Sequence, residues 1–260
     1  MGFSLKQVPG AWSVYDDTTG RDAMKFDAND SCSYSSPPAP FMFDDFEGDV
    51  IADQWAVNKG SDGATVNFAV LASTANGAVR ATTGAGAGGT MAVNGVLLER
   101  YLNWKPNAGG LVMEARVKIS AITNISLFVG FTDQVGTLEA PINSAASANT
   151  ITTTATDGVG FFFDTSMTDD YFWIAGVKAD TDATHANTNV APVAATWVVL
   201  RVEVDASGNG RFFINGAYVG AVVNATTATV ALTPVVSCFT RTAASATVDV
   251  DYIYVKADRA

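Results

Sequence analysis

The sequence predicts an all-β protein: a two-sheet antiparallel sandwich preceded by an extended N-terminal arm. Three observations carry this. Apolar and polar residues alternate over short runs, Gly and Asn fall where tight turns are needed, and no helical periodicity persists beyond about two turns. Many short strands within about 220 residues fit a two-sheet sandwich with a substantial core.

Residues 1–40 stand apart. Isolated aromatics (Phe3, Trp12, Tyr15, Phe26, Tyr34) lie among polar residues, and the stretch closes on Ser35-Ser36-Pro37-Pro38-Ala39-Pro40. Proline fixes φ and biases the residue before it to extended backbone, so 1–40 reads as an arm and linker and 41–260 as the sandwich. An aromatic arm without a core of its own suits a segment that orders against a partner, with Phe3, Leu5, Trp12 and Tyr15 as its candidate contacts.

Within the sandwich, Leu111–Ile119 is apolar at odd positions and charged at Glu114, Arg116 and Lys118: one buried face and one wet face. Ile125–Phe131, Val159–Phe163 and Tyr171–Val177 are apolar at both parities, which predicts strands covered on both sides. Ser207-Gly208-Asn209-Gly210 and Asn215-Gly216 predict tight hairpins around Arg211–Ile214, because these residues supply positive φ.

Composition removes several function classes. Only 16% of the 260 residues are charged, 48% are hydrophobic, and the net charge is −11. The acidic balance, with 15 scattered Lys and Arg, argues against nucleic acid. Mean hydropathy is +0.19, yet no apolar run approaches the ~18 residues of a spanning helix, so no membrane partner is expected. Met1–Gln7 has no apolar core after a basic start and reads as signal-free. Cys32 and Cys238 read as free thiols, with one long-range disulfide as the alternative.

Particular segments resemble a known family. Phe43-Asp44-Asp45-Phe46-Glu47-Gly48 with Trp55 resembles the opening strand of concanavalin A-like lectin/glucanase (laminin-G-like) jelly rolls. Trp197–Asp205 followed by Arg211–Gly216 is similar to that family's double hairpin. Thr247–Val255 resembles its closing strand, which the resemblance implies pairs beside the first. The resemblance covers about residues 41–257 and none of 1–40.

Such sandwiches include hydrolases, lectins and structural modules, so function must come from residues. Family glucanases carry E-x-D-x-(x)-E on one strand, but Glu47-Gly48-Asp49 and Glu203-Val204-Asp205 both lack the third carboxylate. The lone His185 and the absence of G-x-S-x-G remove serine triads, and Gly84–Gly89 lacks the Lys-Ser/Thr of a phosphate loop. The expectation is therefore no catalytic residues and no enzyme. Asp44, Asp45, Asp49 and Asp53, or Asp164, Asp169 and Asp170, offer hard oxygens for calcium, yet no D-x-D-x-D-G loop is present, and no cofactor or metal site is assigned. For sugar stacking the candidates are Trp104, Tyr171 and Trp173.

Long Ala/Thr/Ser/Asn/Gly loops with few charges suggest surfaces facing neighbours. Together with the arm they resemble bacteriophage virion proteins. That implies a non-enzymatic capsid decoration (cement) protein at the particle surface, made in the host cytoplasm. It would bind capsid proteins as a homo-oligomer, taken as a trimer. The alternative is a carbohydrate-binding module of a phage tail fibre or of a secreted polysaccharide-binding protein, with a surface glycan as partner.

Overall fold

The computed structural model describes residues 39–259 apart from 63–65, 73 and 145–148, together with the backbone of four strands before them. The chain divides into two units, Met1–Pro40 and Phe41–Ala260. In the first, β1 (Phe3–Val8), β2 (Ala11–Asp16), β3 (Arg21–Asp27) and β4 (Cys32–Tyr34) pair in order as an antiparallel sheet. The segment expected as an arm is thus extended residue by residue, but its strands bond to one another. The side chains of Phe3, Leu5, Trp12 and Tyr15 lie outside the described residues.

The second unit begins with β5 (Phe41–Asp44), β6 (Ala56–Lys59), β7 (Asn67–Val70) and β8 (Val79–Thr82). A four-residue helix, α1 (Met91–Asn94), precedes β9 (Val96–Glu99), β10 (Leu111–Ile119) and β11 (Ile125–Thr132). Next come β12 (Ile142–Ser144), β13 (Ile151–Thr153), β14 (Gly158–Asp164) and β15 (Trp173–Lys178). The short β16 (Thr181–Asp182) and β17 (Ala186–Asn187) lead to β18 (Trp197–Val204) and β19 (Gly210–Ile214). The last three are β20 (Ala217–Val222), β21 (Thr233–Thr240) and β22 (Thr247–Lys256).

Two antiparallel eight-stranded sheets result. Sheet I runs β20-β19-β18-β10-β22-β8-β7, with β5 also on β22, and sheet II runs β16-β15-β14-β11-β21-β9-β6, with β17 also on β15. Residue period sets what lies between them. Leu111, Met113, Ala115, Val117 and Ile119 of β10 face Leu127, Val129, Phe131, Phe161 and Phe163 of sheet II in one core. Fully burying a side chain of this size contributes about 1.5–3 kcal/mol. The closing strand β22 pairs with β5 through Ile253–Lys256 and with β8 through Thr247–Val250, as the resemblance implied for the first strand. The Asn215-Gly216 turn has φ of 50° and 80°, the double positive φ that closes the β19–β20 hairpin.

The outer faces differ. Sheet I keeps the predicted alternation, with Glu114, Arg116 and Lys118 half-buried between fully buried neighbours. On sheet II every residue of β11, β14 and β21 is buried. Its outer face is roofed by the chain itself: Leu97, Phe128, Phe162, Trp173 and Val235 pack with Ile142, Met167, Leu138 and Ile151 as a second apolar cluster. Two-sided apolar strands were legible in the sequence, and the roof is their reason.

Candidate functional site

The aromatic residues expected to stack on sugars do not present free rings. Trp104 is 9% exposed, bridged to Leu232 and packed in the main core. Trp173 points out of sheet II but is 6% exposed beneath the roof, with its indole N–H donated to Asp169 O at 3.2 Å and its ring 6.3 Å from Phe162. Tyr171 is half-buried in a turn. Stacking needs an accessible ring face, which neither Trp104 nor Trp173 offers; at Trp173, β12–β13 with their flanks occupy it.

Accessible rings lie on the other sheet. Strand register places Phe43, Tyr254, Glu114, Arg201, Phe213 and Tyr218 in one row across β5, β22, β10, β18, β19 and β20. At a strand spacing of ~4.8 Å this row is about 24 Å long. Its ends are open, with Phe43 54% and Tyr218 56% exposed. The middle is held by paired charges. Arg201 bonds Glu203 at 2.5 Å and approaches Glu114 to 3.8 Å, while Glu114 accepts the Tyr252 hydroxyl at 2.8 Å. Burial, and with it the Glu114 carboxylate, pushes the Tyr252 phenol up, so it stays a donor.

A second row, Arg80–Asp249–Lys118–Trp197, crosses β8, β22, β10 and β18. Asp249 is only 2% exposed and takes bonds from Arg80 Nε (2.6 Å), Arg80 Nη2 (3.0 Å) and Lys118 Nζ (2.9 Å). Burial raises the Asp249 carboxyl, but these donors outweigh it and hold it below its ordinary value. Arg116 and Lys118 both lie over the Trp197 ring, at 4.8 and 4.6 Å. Two residues along the strands from the first row, on the side away from the second, is a depression of about 330 Å³, floored by Val112 and edged by Arg201, Glu203, Arg211 and Lys256.

The roofed face holds a group that the sequence reading missed. Glu99, 1% exposed on β9, accepts at Oε1 from Asn58 Nδ2 and the Gly136 amide, both at 2.6 Å, while Oε2 has no partner. Glu139, 6% exposed, accepts from Thr132 Oγ1 at 2.9 Å. Burial pushes Glu99, Glu139 and Asp133 up, and the Glu99 and Asp133 charges raise Glu139 further. Glu99 comes from β9, while Asp133 and Glu139 come from the loop after β11, far from it in sequence, so no single-strand motif could expose them. The one signal was a glutamate ending the otherwise apolar Val96-Leu97-Leu98-Glu99.

Among the described residues no three His, Cys, Asp or Glu side chains gather as a metal site. Asp44 instead binds the Trp55 indole N–H at 2.7 Å and the Phe46 amide, and Asp164 binds Arg241 and the Ser144 and Ser166 amides. His185 contacts Asn149 O through Nε2 at 2.9 Å.

No protein-family model matches the sequence, and neither does any curated protein sequence. Solved structures do match. A Bacillus licheniformis β-glucanase aligns with 84% of this chain and 98% of its own at 12% identity and a TM-score of 0.55. An endo-1,3-β-glucanase from Streptomyces sioyaensis covers 88% and 100% at 14% identity and 0.55. The carbohydrate recognition domain of Emp47p covers 84% and 95% at 9% identity and 0.55. The fold is a concanavalin A-like jelly roll. Likeness at these identities shows the fold alone. It does overturn the expectation of a non-enzyme, because the matching structures include glucanases and that expectation rested on one absent linear motif. Nothing in these similarities supports a phage virion role.

Proposed function

We propose that the Phe41–Ala260 sandwich recognises carbohydrate, and that the outer face of sheet I is its binding surface. The observation that carries this is the row from Phe43 to Tyr218. Exposed rings stand at both ends, and fixed donors and acceptors stand between them on a rigid sheet. Sugars present apolar C–H faces with hydroxyls at their edges, so flat rings beside paired Arg and Glu groups match both. The fold, which this chain shares with glucanases and a carbohydrate recognition domain, agrees with the reading.

The test is an oligosaccharide array followed by calorimetric titration of the best binders, on the native chain and on Phe43→Ala with Tyr218→Ala. Both residues are more than half exposed, so the fold should survive. Losing two stacking rings should weaken binding at least tenfold, since aromatic contacts contribute about 0.5–1.5 kcal/mol each beyond area. The reading is overturned by an empty array, or by binding that the double variant leaves unchanged.

A further inference from the structure

We infer that the depression on sheet I selects acidic saccharides, meaning chains that carry carboxylate or sulfate groups. The inference rests on the carbohydrate reading and names its ligand class. The registers place Arg211, Glu203, Val112 and Lys256 side by side on β19, β18, β10 and β22, so the two cations flank the floor from opposite sides.

What matters is how these charges are paired. In a chain with 26 acidic against 15 basic residues, an outward cation is expected to find a carboxylate. On the outer face of sheet I, Arg80, Arg116, Lys118 and Arg201 all do. Among the described residues Arg211 and Lys256 have no carboxylate within 4.0 Å. The nearest acids are already engaged. Glu203, directly opposite Arg211 in the register, bonds Arg201 instead. Asp205 is used up closing its own turn through the Ser207 and Asn209 amides and Asn209 Nδ2, donors that together outweigh burial and hold it below its ordinary value.

Arg211 is also pre-positioned. Its guanidinium carbon lies 5.9 Å from the Phe213 ring centre and 5.7 Å from that of Tyr218, so ring faces fix it while its N–H groups remain free. A sugar ring laid on Tyr218 would bring an attached anionic group to Arg211, and an acidic unit farther along the chain would reach toward Lys256, three strand spacings away. Guanidinium binds carboxylate or sulfate through paired N–H groups, whereas Lys256 acts as a point charge. No bond is made or broken; this is recognition only.

The experiment titrates the intact chain with oligogalacturonate, a sulfated dextran oligomer and a neutral glucan oligomer of matched length. The same is done for Arg211→Gln, Lys256→Gln and the double variant, with thermal unfolding confirming that each folds. The expected result is at least tenfold tighter binding of an acidic chain than of the neutral one. Each substitution should cost the acidic chain about tenfold, and raised salt should weaken it selectively. Preference between the carboxylated and sulfated arms tells which anion is taken. Equal binding of all three oligomers, or full binding by the double variant, overturns the inference and leaves the carbohydrate reading standing. No binding by any of the three overturns the inference, and only an empty oligosaccharide array overturns the carbohydrate reading with it.

Discussion

Asp249→Asn probes what keeps the sheet I face rigid, and its magnitude can be worked from the geometry. The carboxylate receives three charge-assisted bonds at 2.6, 2.9 and 3.0 Å, each of a kind contributing about 1.5–3 kcal/mol when both partners are shielded. Here only the acid is shielded. The Arg80 side chain is 41% exposed and that of Lys118 29%, so in the variant water takes over much of what the cations lose. The asparagine oxygen still accepts one bond. A net loss of about 2 kcal/mol at pH 7 follows, or roughly 4–8 °C in Tm for a unit of this size. Because the native carboxyl is held below its ordinary value, its contribution is present above the unfolded value of about 3.9 and is lost as pH falls through the lower folded value. Differential scanning calorimetry of both proteins at pH 7 and in stronger acid reads this directly. The gap should close in acid. A gap of the same size at both pH values would mean that shape, not charge, is responsible, and a gap under about 1 °C at pH 7 would sink the reasoning altogether.

Glu99→Gln should behave in the opposite sense. Burial raises the native carboxyl, so its stability is complete below the unfolded value of about 4.3 and declines as pH rises toward the folded value. The variant should therefore match the native chain near pH 4 and exceed its Tm at pH 8; a difference that does not grow with pH refutes this. Gly160→Ala should cost about 2 kcal/mol in chemical denaturation. Its Cβ would sit 2.6 Å from Val129 O, which the ladder holds in place, and 2.7 Å from the Phe128 ring. Retained native stability would show that the roofed face can shift. The Cys238 thiol, fully buried and pushed up to about 12, should resist thiol reagents until the sandwich unfolds, as a mixing time course with and without denaturant would reveal.

Period-two alternation in the sequence marks β10, and the Asn-Gly turn marks the β19–β20 hairpin, because each depends on neighbours within a few residues. The outward-facing acids and bases of those strands were legible for the same reason. The binding row was not. Phe43, Tyr254, Phe213 and Tyr218 are brought together only by register between residues up to 254 − 43 = 211 positions apart, and Phe43 reaches Tyr218 through four intervening strands. Aromatic density along the chain pointed instead to Tyr171-Phe172-Trp173, where hydrophobic packing claims the Phe172 and Trp173 rings. The Glu99, Glu139 and Asp133 cluster failed to show for a related reason: carboxyls brought together from a strand and a distant loop leave no linear spacing.

The same geometry changes what the shortage of charge means. Sparse Lys, Arg, Asp and Glu can be read as surface awaiting other chains, since charge is depleted from interface cores. On sheet II, however, the apolar outer face is already covered by Ile142, Met167, Leu138 and Ile151 of the same chain, and it needs no second molecule. Roofing one sheet internally removes a whole solvated face, and with it the charges that face would carry. On sheet I, most of the outward charge is spent in pairs such as Arg80–Asp249 and Arg116–Asp251. A surface whose charges are already satisfied has little left to attract a ligand non-specifically. What recognition it offers must come from exposed rings and from the cations left without acids, and on this face both meet at Tyr218 and Arg211.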